Sequence, residues 1–162
     1  MAFVRTKKIG GKSYGYLVEN RWEDGRAKQT VTQYLGRVHE LPKIGTTDVD
    51  ISNHSFINAV HAIIGQELCN HGFVKSEQGF VRDGVMVNTT DWNIVNKGKP
   101  AVLRINDGYL CSHTLRQLIN FNPGDQDAGF ALARRLVEAG IALPKENFVK
   151  LYEKTQPEAQ VQ

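Results

Sequence analysis

Two cysteine and histidine pairs have the residue types and spacing for metal chemistry. Cys69-Asn70-His71 and Cys111-Ser112-His113 repeat one C-x-H spacing, and together they offer four ligands for a tetrahedral zinc ion. In extended backbone, residues two apart point the same way, so each pair can chelate if Cys69 lies past a helix end. Against this, structural zinc pairs more often use wider spacing, and a lone cysteine is commonly a small buried hydrophobe. No metal ligand and no cofactor is assigned. Cys111 as a nucleophile with His113 or another histidine as its base has no supporting local motif.

Carboxylate chemistry fares no better. Asp83, Asp91, Asp107, Asp125 and Asp127 fall where turns or helix caps explain them, and Asp125-x-Asp127 is the only close pair. A two-metal nuclease needs clustered carboxylates, often with a nearby lysine. Neither G-x-x-x-x-G-K-[ST] nor G-x-G-x-x-G occurs, and Gly10-Gly11-Lys12 is a turn with one cation. No catalytic residue is assigned, and the expectation is a non-enzymatic protein.

Binding chemistry is better supported. The stretch from Arg5 to Arg37 interleaves short alternating apolar runs with basic and aromatic residues. Residues 1–43 carry nine Lys/Arg against four Asp/Glu, whereas the remaining chain carries eleven against thirteen, within a total net charge of +3. Positive charge concentrated in one segment points to a polyanion partner. Candidate phosphate contacts are Arg5, Lys7, Lys8, Lys12, Arg26, Lys28 and Arg37, with Tyr14, Tyr16 and Tyr34 as candidate stacking residues. Trp22, beside a turn, is either another stacking residue or a cover for the sheet edge.

Three strands must position these residues. Phe3 to Ile9 is the first, Ser13 to Glu19 the second and Arg26 to Leu35 the third, divided by Gly10-Gly11 and Asp24-Gly25. Period-2 geometry places Tyr14, Tyr16 and Val18 on one face of the second strand, opposite Leu17. On the third it groups Val31 with Leu35, and Lys28, Thr30, Thr32 and Tyr34 opposite.

The run also resembles the N-terminal module of IS4-type (IS1634-like) transposases and of some small archaeal proteins. Tyr16-Leu17-Val18-Glu19, Glu23-Asp24-Gly25 and Tyr34-Leu35-Gly36-Arg37 carry the likeness, over about residues 3–41. In that family the module precedes a catalytic domain with three metal-binding carboxylates and is taken to help engage DNA. Nothing after residue 41 has the length or pattern of such a domain, so the resemblance implies a nucleic-acid-binding role and no transposase activity.

Beyond the basic stretch, residues 42–51 read as a linker, broken by Pro42 and Gly45. A helix capped by Ser52 or Asn53 follows, with Phe56, Ile57, Val60, Ile63, Ile64 and Leu68 as its apolar stripe. His54 and His61 read as surface residues. Short strands are predicted at Phe80 to Arg82, Val85 to Val87, Trp92 to Val95, Ala101 to Asn106 and Tyr109 to Cys111, forming one antiparallel sheet beside that helix. The last third reads as helical. Ser112 or Thr114 starts one helix, which Asn122-Pro123-Gly124 stops; Asp125 or Asp127 caps the next, with Phe130, Ala133, Leu136 and Val137 buried; Pro144 opens the last. Arg134 and Arg135 would lie on the second helix of a helix-turn-helix, but its acidic start is unwelcome in a major groove.

The expected fold class is α+β: a basic antiparallel β module at residues 1–41, a linker at 42–51, an α+β domain at 52–154 and a disordered tail at 155–162. Its expected partner is DNA or RNA, bound mainly through the backbone. The alternatives are an interaction or regulatory protein of mobile-element or viral origin that contacts a protein partner through residues 52–154, and, with least support, a small hydrolase or nuclease. No apolar run approaches a membrane span and no secretory signal stands at the start, so no membrane contact and a cytoplasmic location are expected.

Overall fold

Two turns in the left-handed region fold the first third of the chain back on itself twice. Gly10-Gly11 (φ 59° and 81°) joins β1 (Ala2–Ile9) to β2 (Lys12–Glu23), and Asp24-Gly25 (φ 53° and 75°) joins β2 to β3 (Arg26–Glu40). Two-residue hairpins with both central residues at positive φ match the twist of the strands they connect. The computed structural model describes residues 2–122 and 127–156. Among these, nine strands and four helices make an α+β fold.

β2 and β3 run further than local pattern predicts. β3 continues through Arg37–Glu40, which pair in parallel with Ala101–Arg104 of β8 (Lys99–Ile105). Polar residues are held extended there by tertiary hydrogen bonding, which overrides propensity. β3 also departs from strict alternation. Its register against β2 steps from Gly15↔Gly36 to Tyr16↔Tyr34, and from Leu17↔Gln33 to Val18↔Val31, leaving Leu35 and Thr32 as bulge residues. The expected grouping of Val31 with Leu35 is thereby overturned. Val31 pairs with Val18 and is exposed on the face of Tyr16 and Tyr34, whereas Leu35 is buried on the other. Lys28 and Thr30, expected beside Tyr34, lie on the face opposite it.

β8 is the junction of the sheet. It pairs with β3 on one side, and on the other with β7 (Asn93–Asn96) and with β9 (Gly108–Leu110). β5 (Gly79–Arg82), β6 (Val85–Asn88) and β7 form an antiparallel meander as expected, which β4 (Val74–Ser76), not foreseen from the sequence, extends by pairing with β5; Trp92 sits in a left-handed turn at φ 55° rather than opening a strand. The strands β1, β2, β3, β8 and β9 curl around a small core of Leu35, Val102 and Cys111, closed by Val4, Leu17, Val38 and Tyr109. Gly15 permits this, because a Cβ there would meet Cγ2 of Val102 at 2.9 Å.

The larger core lies on the other face of β8. Ala101, Leu103 and Ile105 meet α1 (Phe56–Asn70) through Val60, Ile63, Ile64 and Leu68. Ser55, not Ser52 or Asn53, caps α1 by accepting from the Asn58 amide at 3.3 Å; Ser52 is held instead by Asp50. Ile57, expected in the stripe, is exposed. Residues 42–51 have no regular structure and cross the C-terminal end of α1. The amides of Ile44 and Gly45 donate to the Asn70 carbonyl, and the Asn70 side chain donates to Thr47 O and accepts from Thr47 N.

α2 (Ser112–Ile119), α3 (Ala128–Glu138) and α4 (Lys145–Glu153) complete the core. On α3 the buried positions are Ala128, Leu132 and Leu136; of the predicted stripe Leu136 is buried as expected, Ala133 is half-buried, and Phe130 and Val137 are 74% and 67% exposed. The buried positions recur at spacing of four, and α3 approaches α4 closely: a Cβ on Gly129 would come within 3.0 Å of Tyr152. Pro144 is the N-cap of α4 rather than its first residue. The predicted stop at Pro123-Gly124, the cap alternative Asp125 and residues 157–162 of the predicted tail lie outside the described residues. Thr155, at the start of that tail, is buried and donates to the Tyr152 carbonyl at 2.6 Å. Among the described residues no helix is long and apolar enough to cross a membrane.

The cysteines differ sharply in access. Cys69 is exposed, while Cys111 is fully buried and its thiol is pushed up by burial. The thiolate is the reactive form. With Ellman's reagent the folded protein is expected to yield one fast equivalent per chain, and the second only after unfolding in denaturant. Two fast equivalents from folded protein would mean that the small core under β1–β3 opens readily.

Candidate nucleic-acid interface

The outer face of β1–β3 is built by register. Arg5 stands beside Tyr16 and Lys7 beside Tyr14 across the first hairpin; Tyr16 stands beside Tyr34 and Tyr14 beside Arg37 across the second. Directly paired residues share a face, so Arg5, Lys7, Tyr14, Tyr16, Tyr34 and Arg37 come together. The Tyr16 and Tyr34 ring centroids are 5.4 Å apart with planes tilted by 55°, and those of Tyr14 and Tyr34 are 6.5 Å apart at 39°. Burial, and then the neighbouring Tyr16 and Tyr14, raise the Tyr34 phenol above its ordinary value. Arg5 donates to the Gln29 side chain across β2, and the two border a shallow depression of about 320 Å³ floored by Val18 and Val31.

The other predicted contacts separate from this group. Lys8 alternates to the opposite face, paired with Ser13. Lys12 stands at the first turn and lines a second depression, about 220 Å³, with Arg37 and Arg104. Arg104 was not legible as a site residue: it is 67 positions beyond Arg37 and arrives through the parallel pairing of β3 with β8. Its guanidinium lies 5.8 Å from the Tyr109 ring centre.

Arg26 and Lys28 lie on the far part of the β2–β3 ribbon, on the face away from the tyrosines. Lys28 is 3.6 Å from Glu23, Arg21 is 3.4 Å from Glu19, and Arg26 is in register with Glu23. Exposed pairs of this kind add little stability, but they cancel the local field. Residues 19–30 hold three acids and three bases, whereas residues 1–18 hold four bases and no acid. The ion pairs among the described residues include none made by Arg5, Lys7, Lys8, Lys12 or Arg37.

Chemistry elsewhere is structural in form. Among the described residues no three His, Cys, Asp or Glu side chains gather to hold a metal, so the two C-x-H pairs do not meet. His71 is buried with Nδ1 2.9 Å from the Glu67 carbonyl. Arg135 donates to the Gln117 carbonyl at 3.0 Å and lies over the Phe121 ring, and Arg134 bonds Glu138 at 3.0 Å. Both arginines of the possible helix-turn-helix are thus engaged within the molecule. Glu67, the one buried carboxylate among the described residues (4% exposed), was not singled out by sequence; it borders a polar pocket of about 320 Å³ with Lys43, Thr47, Gln66 and Asn147. No family model, no curated protein and no solved structure matches the chain.

Proposed function

We propose that the chain is a non-catalytic nucleic-acid-binding protein of the cytoplasm that holds a sugar-phosphate backbone against the outer face of β1–β3. The observation that carries this is the grouping of Arg5, Lys7 and Arg37 around three tyrosines on one surface, with no ion pair to a carboxylate among the described residues. Unpaired cations neutralise phosphates and release their counterions, while ring faces take bases or sugars. The resemblance of residues 3–41 to the DNA-engaging transposase module supports the same reading.

The test is a fluorescence-anisotropy titration of labelled oligonucleotides with the full chain at rising salt. Affinity is expected to fall steeply with salt. Joint replacement of Lys7, Lys12 and Arg37 by alanine is expected to reduce the salt slope by about 2, at about 0.7 per single-strand phosphate contact. Arg26→Ala with Lys28→Ala, the ion-paired control, should change it little. Binding indifferent to salt, or to the triple replacement, would overturn the proposal. A second reading, a protein-interaction role, draws on Phe130 and Val137, exposed seven residues apart on α3. It gains if no oligonucleotide binds even at low salt.

A further inference from the structure

We infer that the outer face of β1–β3 takes single-stranded rather than duplex nucleic acid, with bases stacked on Tyr34 and Trp22; this rests on the proposed function above and narrows it. Duplex recognition places a helix or a two-stranded ribbon in a groove. Neither is well equipped here. On α3, Arg134 and Arg135 are bonded to Glu138 and Gln117. The β2–β3 ribbon has the shape for a groove, but its three cations are matched by Glu19, Glu23 and Asp24, and two of these acids flank its tip. It would carry carboxylates toward phosphates.

What remains is an open sheet face with ring surfaces in solvent, the arrangement on which unpaired bases stack. Tyr34 is 48% exposed despite its packing against Tyr16. Trp22 is 78% exposed, and unbroken alternation along β2 puts it on the same face as Tyr14, Tyr16 and Val18. From Tyr16 to Trp22 is six strand positions, about 20 Å at the usual rise. Between them lie Val18 with Val31 and Asn20 with Gln29, an apolar and amide floor without charge. Arg5, Lys7 and Arg37 bound the tyrosine end, where the phosphates would lie. A duplex keeps its bases stacked inside and has no use for either exposed ring.

The experiment uses the full chain with labelled thymidine and uridine oligomers of about twelve nucleotides, within the usual site sizes, and a duplex of equal length. Anisotropy gives affinity, and tryptophan emission reports stacking. Single strands are expected to bind about tenfold tighter than duplex at one salt concentration and to quench emission. The quench should vanish in Trp22→Phe if Trp22 reports it rather than Trp92, whose ring packs on His61. Trp22→Ala and Tyr34→Ala should each weaken single-strand binding about tenfold, and Tyr34→Phe should restore it, because the ring rather than the hydroxyl is used. The uridine and thymidine arms tell RNA from DNA, and preference for either supports the inference. Duplex bound as tightly as single strand, or alanine variants without effect, would overturn it while leaving salt-dependent binding, and so the proposed function, standing. Absence of binding to any oligomer would overturn both.

Discussion

Replacing Glu67 by alanine is expected to destabilise the protein by about 3 kcal/mol, the cost of orphaning buried donors together with a cavity. From α1 the carboxylate reaches three other segments. The Asn106 side chain, in the β8–β9 turn, donates to Oε1 and also to the Gly140 carbonyl at 3.0 Å. The Ala142 amide, between α3 and α4, donates to Oε2 at 3.3 Å. Lys43, in the segment crossing the end of α1, holds its ammonium 3.6 Å from Oε1, and His71 Nδ1 is 3.4 Å from the same oxygen. Breaking a fully buried ion pair can cost about 3–5 kcal/mol. Lys43 is 34% exposed and regains water when its partner leaves, which places the expectation at the lower end. At about 2–4 °C per kcal/mol for a chain of this size, Tm should fall by about 10 °C. Glu67→Gln fills the space but turns one accepting oxygen into a donor that faces Asn106 or Ala142, so an intermediate loss of about 1–2 kcal/mol is expected. Urea unfolding of the three proteins measures the series. Alanine and glutamine variants both within about 0.5 kcal/mol of the parent would show that the carboxylate is incidental to the packing.

Much of the architecture was legible because it is local. Gly10-Gly11 and Asp24-Gly25 are residue types that adopt positive φ without help from distant partners, and Val60, Ile63, Ile64 and Leu68 repeat at helical spacing. The same holds for part of the site. β1 and β2 pair without a step along their whole length, so Arg5, Lys7, Tyr14 and Tyr16 fall where alternation puts them. What failed depends on distant partners. The bulge at Thr32 puts Lys28 and Tyr34 on opposite faces, and nothing in the order of residues 26–37 announces it or the second bulge at Leu35. The extension of β3 and the arrival of Arg104 both come from pairing with β8. On α3 the buried face follows Ala128, Leu132 and Leu136 at spacing of four, and Phe130 and Val137, apolar enough to suggest a core stripe with Leu136, fall off it into solvent. Glu67 reads as an ordinary polar helix residue until Asn106 and Ala142 are placed against it.

Gly36→Ala should be the most damaging single replacement in the basic sheet, with a loss above about 4 kcal/mol, because both its conformation and its space are denied to alanine. Gly36 adopts φ 126°, and a Cβ there would lie 2.3 Å from the Pro100 carbonyl oxygen, 2.4 Å from its carbon and 2.6 Å from the Ala101 nitrogen. All three are backbone atoms of β8, so no side chain can swing aside. The contact occurs one residue before β3 joins β8 at Arg37↔Ala101. Relief requires the strands to part, which removes the parallel ladder and draws Leu35 and Val38 away from Val102. Gly25→Ala separates the two effects: Gly25 also has positive φ, 75°, but a Cβ there meets nothing within 4 Å. Strain alone should cost about 1–2 kcal/mol at that turn. Denaturant midpoints for both variants give the comparison, and the Gly36 variant should also expose Cys111 to Ellman's reagent without denaturant as the small core opens. A loss at Gly36 no greater than at Gly25 would mean that β3 and β8 can separate at little cost, and that Arg104 is not held beside Arg37 and Lys12.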